Sequence, residues 1–291
     1  MARYLGLDIG SISINSVVMD GELTILEERY DYCHGRPFHV LLGVLEELTR
    51  GQEFDGVAAT GTGGRLATEL IGGHFVNEIV AQSSAVSRLL PHVKSVIEMG
   101  GEDSKLIYMK SMEDESSRLH DFAMNSICAA GTGSFLDQQA RRIGVAIEGE
   151  FGAMALQSEN PPRIAGRCSV FAKSDMIHLQ QIATPVHDIV AGLCFAVARN
   201  FKSNLARGRT IVPPVSFQGG VAANAGMVRA FREVLELDDE QLIVPEHHAS
   251  MGAIGAVCYL LSQNGSTDAR FLGLDDLRRH VAHGGNGAES L

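Results

Sequence analysis

Apolar runs separated by glycine-bearing turns open the chain and predict short strands joined as hairpins. Residues 4–11 begin as an apolar strand and end in an Asp-x-Gly-Ser turn. Residues 16–20 and 24–26 supply two further strand-like runs, which are separated by Gly21. The chain is therefore expected to begin with two hairpins, the first of them built around an acidic turn.

The same pattern returns about ninety residues later. A strand is predicted at residues 96–99, an acidic glycine turn at 100–104 and another strand at 106–109. Because a strand, a turn with glycine and aspartate, and a second strand open each half, the sequence indicates an internal duplication. We expect two related α/β subdomains with a cleft between them, each presenting one acidic turn to a nucleotide.

Apolar residues recur at helical spacing in several further stretches. These are residues 40–49, 77–90, 135–143, 182–201, 226–235 and 249–261. Gly144 stands where a helix commonly ends, and the last stretch is rich in small residues that allow close packing. Beyond Gln263 the chain turns polar and glycine-rich, which predicts a loose tail or the start of a further domain.

Composition narrows the class of protein. The 291 residues are 45% hydrophobic and 20% charged, which is enough for a sizeable core. A net charge of −11 and the lack of a basic run argue against nucleic-acid binding. No apolar stretch reaches membrane-spanning length and no signal-peptide order opens the chain, so we expect a cytoplasmic protein that does not enter a membrane.

Glycine-rich turns after predicted strands are candidates for phosphate binding. Asp8 precedes Gly10, an order in which a carboxylate can hold hydrated Mg²⁺ while the glycine lets the backbone approach a phosphate. Residues 56–64 run from a strand into a glycine-rich turn, which is either a flexible turn or a second backbone cradle. The Gly219-Gly220 pair could let a flat adenosine lie against bare backbone.

Five cysteines are too few and too oddly numbered for a disulfide framework. Cys194 and Cys258 lie in apolar helical patterns and are interpreted as core residues. Cys33 adjoins His34, but no further ligands are spaced around it. Cys128 and Cys168 are different, because both lie among small residues in loops.

Cys128 comes just before a Gly-Thr-Gly turn that opens the predicted helix at residue 135. A helix N-terminus would lower the pKa of a thiol and also attract phosphate. Two thiolates are too few to complete a metal site. In a twofold dimer, however, the second subunit would supply its own Cys128 and Cys168, which makes four thiolates in all. Four thiolates favour a [4Fe–4S] cluster, and the alternative is that the two cysteines are unrelated small residues.

Seven segments in order resemble those of a known family, and the resemblance runs from about residue 4 to residue 261. They read LGLDIGS, ATGTGG, IEMGGEDSK, CAAGTGSFLD, GRCSVFAKSD, FQGGVAAN and MGAIGA. They resemble the ATPase activators of 2-hydroxyacyl-CoA dehydratases and, equally, the ATPase subunits of ATP-dependent benzoyl-CoA reductases. The sequence of residues 161–181 looks most like that of the first activator domain of long, multi-domain activases.

The resemblance implies the acetate-kinase/sugar-kinase/Hsp70/actin fold, a duplicated, ribonuclease-H-like α/β fold with two subdomains and a nucleotide cleft. We expect residues 1–92 to form the first subdomain, completed by a helix at 249–262. Residues 93–248 would form the second subdomain, and residues 263–291 a tail.

The resemblance also implies roles for the residues that match its motifs. Cys128 and Cys168 would bind one [4Fe–4S] cluster per homodimer. Asp8, Glu102 and Asp103 would take the catalytic positions, beside ATP or ADP and Mg²⁺. The residues expected to contact the nucleotide are Gly10, Ser11, Ile12, Ser13, Thr60, Gly61, Gly101, Gly131, Thr132, Gly133, Gly219, Gly220 and Val221.

The implied function is ATP-dependent electron transfer. A reduced ferredoxin or flavodoxin would donate the electron, and ATP hydrolysis would deliver it to a partner iron–sulfur enzyme, such as a 2-hydroxyacyl-CoA dehydratase or a related reductase. Two alternatives share the fold: a small-molecule kinase, and a nucleotide-switched binding protein without redox chemistry.

Two positions depart from the pattern of the family. Many relatives carry lysine where this chain has Asn15, so a cation is missing from the first phosphate turn. Many short activators carry glutamine where this chain has Glu102, whose carboxylate could orient the attacking water or serve Mg²⁺.

Overall fold

A computed structural model describes residues 2–112, 117–125, 131–166, 169–263 and 269–284. The chain divides into two compact units. Unit 1 comprises Met1–Pro91, Ser111–Leu119 and Ala249–Leu291, and unit 2 comprises His92–Lys110 and His120–His248. The domain boundaries expected from the sequence stay a prediction.

Unit 1 is built on a five-stranded mixed sheet in the order β3-β2-β1-β4-β5. Its strands are β1 (Arg3–Ile9), β2 (Ser13–Asp20), β3 (Ile25–Tyr32), β4 (Gly56–Thr60) and β5 (His74–Phe75). Neighbours β1, β2 and β3 run antiparallel, whereas β1, β4 and β5 run parallel. The hairpins predicted at the start of the chain are confirmed.

The second five-stranded sheet has the order β10-β9-β6-β7-β8. Its strands are β6 (Ser95–Met99), β7 (Ser104–Ser111), β8 (Ser117–Asn125), β9 (Val215–Gln218) and β10 (Leu242–Ile243). As in the first sheet, the central strand β6 is antiparallel to the strand that follows it and parallel to β9. Read from its other edge, this sheet repeats the strand order of the first, which confirms the predicted duplication.

The described residues of unit 1 include helices that pack on the sheet or on one another. They are α1 (Pro37–Leu48), α2 (Gly64–Ile71), α3 (Glu78–Leu89), α9 (Met251–Ser262) and α10 (Asp275–Ala282). Helix α3 begins at the Asn77 cap, whose Oδ1 accepts a 3.0 Å hydrogen bond from the Ile79 N–H. Helix α9 packs closely, as its small residues predict, because a Cβ at Gly255 would collide with the carbonyl oxygen of Ala81 on α3.

Unit 2 has its own core and its own helices. They are α4 (Gly133–Ile143), α5 (Glu150–Leu156), α6 (Ser169–Gln181), α7 (Val186–Asn204) and α8 (Ala225–Leu235). Helix α7 runs through the core, where Cys194 is fully buried in the same cluster as Phe201 and Phe231. The interpretation of Cys194 as a core residue is therefore confirmed, as it is for Cys258 on α9.

Two expectations about helix and tail boundaries were wrong. The helix predicted from residue 182 begins at Val186, because Pro185 disfavours helical geometry in the residue before it and lacks an N–H. The segment beyond Gln263 is not a loose tail where the structure describes it. Residues 269–284 include helix α10, and the Leu277 side chain is completely buried in the core of unit 1.

Within the described ranges, no helix is both long enough and apolar enough to cross a lipid bilayer.

Candidate functional site

The first predicted phosphate turn is a tight connection between β1 and β2. The Gly10 N–H donates a 2.9 Å hydrogen bond to the Ser13 carbonyl and closes the turn. The Ile12 carbonyl in turn accepts a 2.8 Å hydrogen bond from the Cys33 N–H at the end of β3. The turn is thus held by backbone bonds that leave the Ile12 side chain exposed.

Asp8 lies near the carboxyl end of β1, in register with Thr60 at the end of the parallel strand β4. Gly61 follows with φ +84°, a conformation that favours glycine. A Cβ at Gly61 would lie 2.6 Å from Asp8 Oδ1 and 2.6 Å from the Ile9 carbonyl oxygen. Open α/β sheets commonly bind ligands beyond the carboxyl ends of such strands, and the structure brings these predicted residues of unit 1 together there.

The second predicted turn joins β6 to β7 in the same way. The Gly100 N–H donates a 3.1 Å hydrogen bond to the Asp103 carbonyl, as the Gly10 N–H does to Ser13. Glu102 at the tip of the turn is exposed. Asp103 is less exposed, and its Oδ1 accepts a 2.7 Å hydrogen bond from the buried Lys105 ammonium.

Glu98 is a residue that the sequence analysis missed. It stands two residues before Gly100, as Asp8 stands two residues before Gly10, so the two carboxylates are equivalent in the duplicated fold. Its side chain is buried and forms a 2.8 Å ion pair with Lys105. The counterpart of Asp103 in the first turn is Ser13. The backbone carbonyl of each accepts the hydrogen bond that closes its turn.

Helix α4 begins directly on the second turn. The N–H groups of Gly133 and Ser134, at its first two positions, donate 2.9 Å hydrogen bonds to the carbonyls of Gly100 and Gly101. A Cβ at Gly133 would lie 2.9 Å from the Gly100 carbonyl oxygen and 2.9 Å from Val221. The N-terminus of α4 is expected from the sequence to attract phosphate, but two of its N–H groups already donate to backbone carbonyls of the protein.

The predicted adenosine turn meets the end of β6. Gly219 has φ +91°, and its N–H donates a 2.7 Å hydrogen bond to the His248 carbonyl. A Cβ at Gly219 would collide with the Met99 carbonyl oxygen. One turn of 3₁₀ helix, Gly220–Ala223, follows. In unit 2, the second turn, the start of α4 and the Gly219–Val221 stretch are therefore contiguous.

The cysteines fall into two groups. Cys128 and Cys168 lie outside the described residues, although α6 begins directly after Cys168 and α4 begins five residues after Cys128. The described thiols are buried, and burial raises the pKa of Cys33 and Cys258 to about 11 and that of Cys194 to about 12. Among the described residues, histidine, cysteine and acidic side chains form no group of three or more suited to a metal ion.

Most of the chain matches one protein family. The model of the BadF/BadG/BcrA/BcrD ATPase family matches residues 5–259, a range that includes both turns, Cys128 and Cys168. The chain belongs to this family. The resemblance drawn from its motifs and its assignment as an ATPase are thereby confirmed.

Relatives of this BadF/BadG/BcrA/BcrD ATPase include both a dehydratase activator and a benzoyl-CoA reductase subunit, the two types that its motifs resemble. The 2-hydroxyisocaproyl-CoA dehydratase activator of Clostridioides difficile is 33% identical over 265 residues, which cover 89% of this chain and 95% of that protein. A benzoyl-CoA reductase subunit of Thauera aromatica is 29% identical over 270 residues, covering 89% and 93%.

A solved structure supports the fold. The activator of the 2-hydroxyisocaproyl-CoA dehydratase from Clostridium difficile with bound ADPNP matches the BadF/BadG/BcrA/BcrD ATPase with a TM-score of 0.77 and 30% identity. The match covers 90% of this chain and 95% of that one. With the repeated sheet topology, it confirms the two-subdomain α/β fold of actin-like ATPases and sugar kinases.

Proposed function

We propose that the protein is an ATP-driven electron donor that activates an iron–sulfur enzyme such as a 2-hydroxyacyl-CoA dehydratase or a related reductase. Its relatives include a dehydratase activator and a benzoyl-CoA reductase subunit that cover most of the chain. Ferredoxin or flavodoxin is the proposed source of the electron, and the cytoplasm is the proposed compartment.

In the proposed nucleotide site, backbone groups of the glycine-rich turns contact ATP, and the carboxylates serve Mg²⁺ and the attacking water. The proposed phosphate contacts are Gly10–Ser13, Thr60–Gly61, Gly101 and Gly131–Gly133, with Gly219–Val221 toward adenosine. Asp8 is a half-buried residue near the carboxyl end of β1, and its side chain is a carboxylate of the type that holds Mg²⁺ through water. When bound, Mg²⁺ neutralises phosphate charge, while Glu102 and Asp103 orient the attacking water.

The observation that carries the proposal is the pair of hydrogen bonds between the second turn and α4. Gly133 and Ser134 donate to the Gly100 and Gly101 carbonyls, so the helix that follows Cys128 begins on the turn proposed to bind nucleotide. A shift of this turn on ATP hydrolysis must either move α4 or break both bonds. In this proposal the two hydrogen bonds transmit a movement of the nucleotide-binding turn to α4, which follows Cys128 in the chain.

The other proposed cofactor is one [4Fe–4S] cluster, held by Cys128 and Cys168 from each of two subunits. The described residues suit it because a helix begins shortly after each cysteine, and helix N-termini stabilise the negative charge of thiolates. When bound, the cluster supplies a one-electron carrier.

A homodimer with this region at its interface is supported by the surface of α6. Val170 and Phe171, in the first turn after Cys168, are each 65% exposed. Two adjacent large apolar side chains are costly to leave in water, and a second copy of the chain would cover them.

Activation of a partner enzyme under anaerobic conditions tests the proposal. The protein is reconstituted with iron and sulfide, reduced, and mixed with ATP and a 2-hydroxyacyl-CoA dehydratase. We expect ATP-dependent activation that is lost in Cys128→Ser and Cys168→Ser and kept in the control Cys258→Ala. Full activation by both serine variants would contradict electron transfer and favour a nucleotide-switched binding protein.

A further inference from the structure

Helix α7 lies directly against the segment that leads into α6, residues 164–166. A Cβ at Gly166 would collide with the Ala196 carbonyl oxygen of α7, so the two backbones are in close contact. Arg199, almost one turn later on α7, donates a 3.2 Å hydrogen bond from Nη2 to the Ile164 carbonyl. Segment 164–166 is therefore held to α7 at both of its ends.

Asn200, the next residue of α7, joins this segment to the start of α4. It is 1% exposed, and its Nδ2 donates a hydrogen bond to the Gly166 carbonyl. Its Oδ1 accepts a 2.9 Å hydrogen bond from Nδ2 of Asn204, one turn later on α7. A Cβ at Gly131 would lie only 2.8 Å from the same Oδ1. One buried amide thus contacts both the stretch before α4 and the segment before α6.

Gly131 stands two residues before the first residue of α4, in the stretch proposed to contact phosphate. Because not even a methyl group fits between Gly131 and Asn200 Oδ1, a displacement of Gly131 toward α7 must turn the Asn200 amide or push the helix. Helix α7 resists a push, since every residue from Ile189 to Ala198 is buried and protein cores are closely packed. The amide is the part that moves, because a side chain can change rotamer.

Segment 164–166 is in turn bonded to α6. The Ala165 N–H donates a 2.8 Å hydrogen bond to Oδ2 of Asp175, in the second turn of that helix. The contacts therefore form an unbroken series within unit 2, from Gly131 through Asn200 and segment 164–166 to α6.

We propose that Asn200 is a positioning residue that transmits a nucleotide-driven displacement of Gly131 to segment 164–166 and α6. Turning the amide weakens its bond to the Gly166 carbonyl, which loosens the segment and its contact with α6. The proposed nucleotide site would then act on both helices that follow the cysteines, on α4 through the second turn and on α6 through Asn200. The inference rests on the proposed nucleotide site, but it requires no electron transfer.

Amide hydrogen exchange of the full chain, compared at equal iron content, tests this in the wild type. Exchange is measured with ADP and with a non-hydrolysable ATP analogue. We expect the rate at Ala165 to differ between the two by about fivefold, the effect of one typical hydrogen bond on a local opening equilibrium. The amides of Gly133 and Ser134 should respond as well, since they lie on the proposed nucleotide site.

The pattern of responses separates this inference from the proposed function. A response at Gly133 and Ser134 without one at Ala165 would overturn the role of Asn200 and leave the nucleotide site intact. No response at either place would contradict both. A response at both places in a protein that activates no partner enzyme would support the inference and count against the proposed function.

Asn200→Leu removes the bond to Gly166 at nearly constant size. We expect it to abolish the nucleotide response at Ala165 and to keep that at Gly133 and Ser134. Phe201→Leu is the matched control, because Phe201 is the next residue of α7 and packs against Phe231 in the core. It should keep both responses. A wild-type response at Ala165 in Asn200→Leu would overturn the proposal.

Gly131→Ala tests the same contact from its other side and needs no nucleotide. The added Cβ displaces Asn200 Oδ1, so the exchange rate at Ala165 should rise by about fivefold over that of the wild type. Gly43→Ala, whose Cβ meets no atom within 4 Å, should leave that rate unchanged. Equal rates at Ala165 in Gly131→Ala and Gly43→Ala would overturn the proposal even if Asn200→Leu did not fold.

Discussion

The main-chain N–H of Gly133 donates a 2.9 Å hydrogen bond to the carbonyl oxygen of Gly100. Gly100 begins the turn between β6 and β7, and Gly133 is the first residue of α4. Because the contact joins backbone to backbone, it depends on how closely the two segments approach rather than on a particular side chain. A Cβ at position 133 is therefore the most direct way to weaken it.

Gly133→Ala is expected to separate α4 from the second turn. The added Cβ would lie 2.9 Å from the Gly100 carbonyl oxygen, which is closer than real Cβ atoms approach. We expect the ATP-dependent activation of a partner enzyme to fall by at least tenfold, as small displacements of positioned groups often cost about 10²-fold. The measurement compares activation rates at equal iron content.

Gly43→Ala is the matched control. Gly43 lies inside α1 in unit 1, where a Cβ would meet no atom within 4 Å. Alanine favours a helix by about 1 kcal/mol over glycine, so this variant should be as stable as wild type or more so and fully active. Equal activation by Gly133→Ala and Gly43→Ala would contradict the role given to the contact.

Lys105→Met is expected to destabilise unit 2. The Lys105 side chain is 4% exposed and lies within 3 Å of the carboxylates of both Glu98 and Asp103. Removing one partner of a buried ion pair costs about 3–5 kcal/mol. Urea unfolding should show this loss, whereas Arg141→Met, which breaks an exposed pair with Asp137, should cost no more than about 0.5 kcal/mol. If Lys105→Met unfolded at the same urea concentration as the wild type, the ammonium would not stabilise the fold.

The Glu98–Lys105 pair shows what sequence reasoning reached and what it missed. Glycines and carboxylates after apolar runs predicted both turns and the duplication, because these features are local in sequence. Glu98 and Lys105 looked like polar residues within strands, and only the register shows that they match Asp8 and Asn15. Their equal separation along the chain, seven residues in each hairpin, was the available signal.

Cys194 should make stability depend on pH in the alkaline range. Burial raises the pKa of its thiol from about 9 to about 12. As pH rises, the thiol ionises in the unfolded chain before it does in the folded protein. The contribution of Cys194 to the free energy of unfolding is therefore complete below pH 9 and is lost as pH rises toward 12. Over this window the wild type should lose about 1.4 kcal/mol per pH unit more than Cys194→Ala does.

The pH effect is measured as the free energy of unfolding in urea at several values above pH 9. Ser203→Ala on the same helix removes a group that does not titrate there, so it should keep the slope of the wild type. Identical slopes for wild type and Cys194→Ala would contradict the raised pKa.

Leu277 tests whether the C-terminal segment belongs to the core. Its side chain is completely buried, so Leu277→Ala should lower the free energy of unfolding by about 2–5 kcal/mol. Leu272 lies five residues earlier and is 76% exposed, so Leu272→Ala should have little effect. Equal stability of the two variants would show that α10 is not part of the folded unit.

Helix α10 also shows why composition gave a wrong prediction for the tail. The segment is polar apart from a few apolar residues, and a pattern this sparse predicts no core helix. Its position is instead set by distant residues, since Arg278 pairs with Glu46 and His280 packs against Phe38. Contacts of this kind can be read only from the folded chain.

Native mass spectrometry of anaerobically reconstituted protein tests the central claim most directly. The account predicts a complex of two 31.2 kDa chains with the mass of one [4Fe–4S] cluster. The cluster mass should be absent from Cys128→Ser and Cys168→Ser and present in Cys258→Ala. A monomer without iron, or a cluster that persists in both serine variants, would contradict the account.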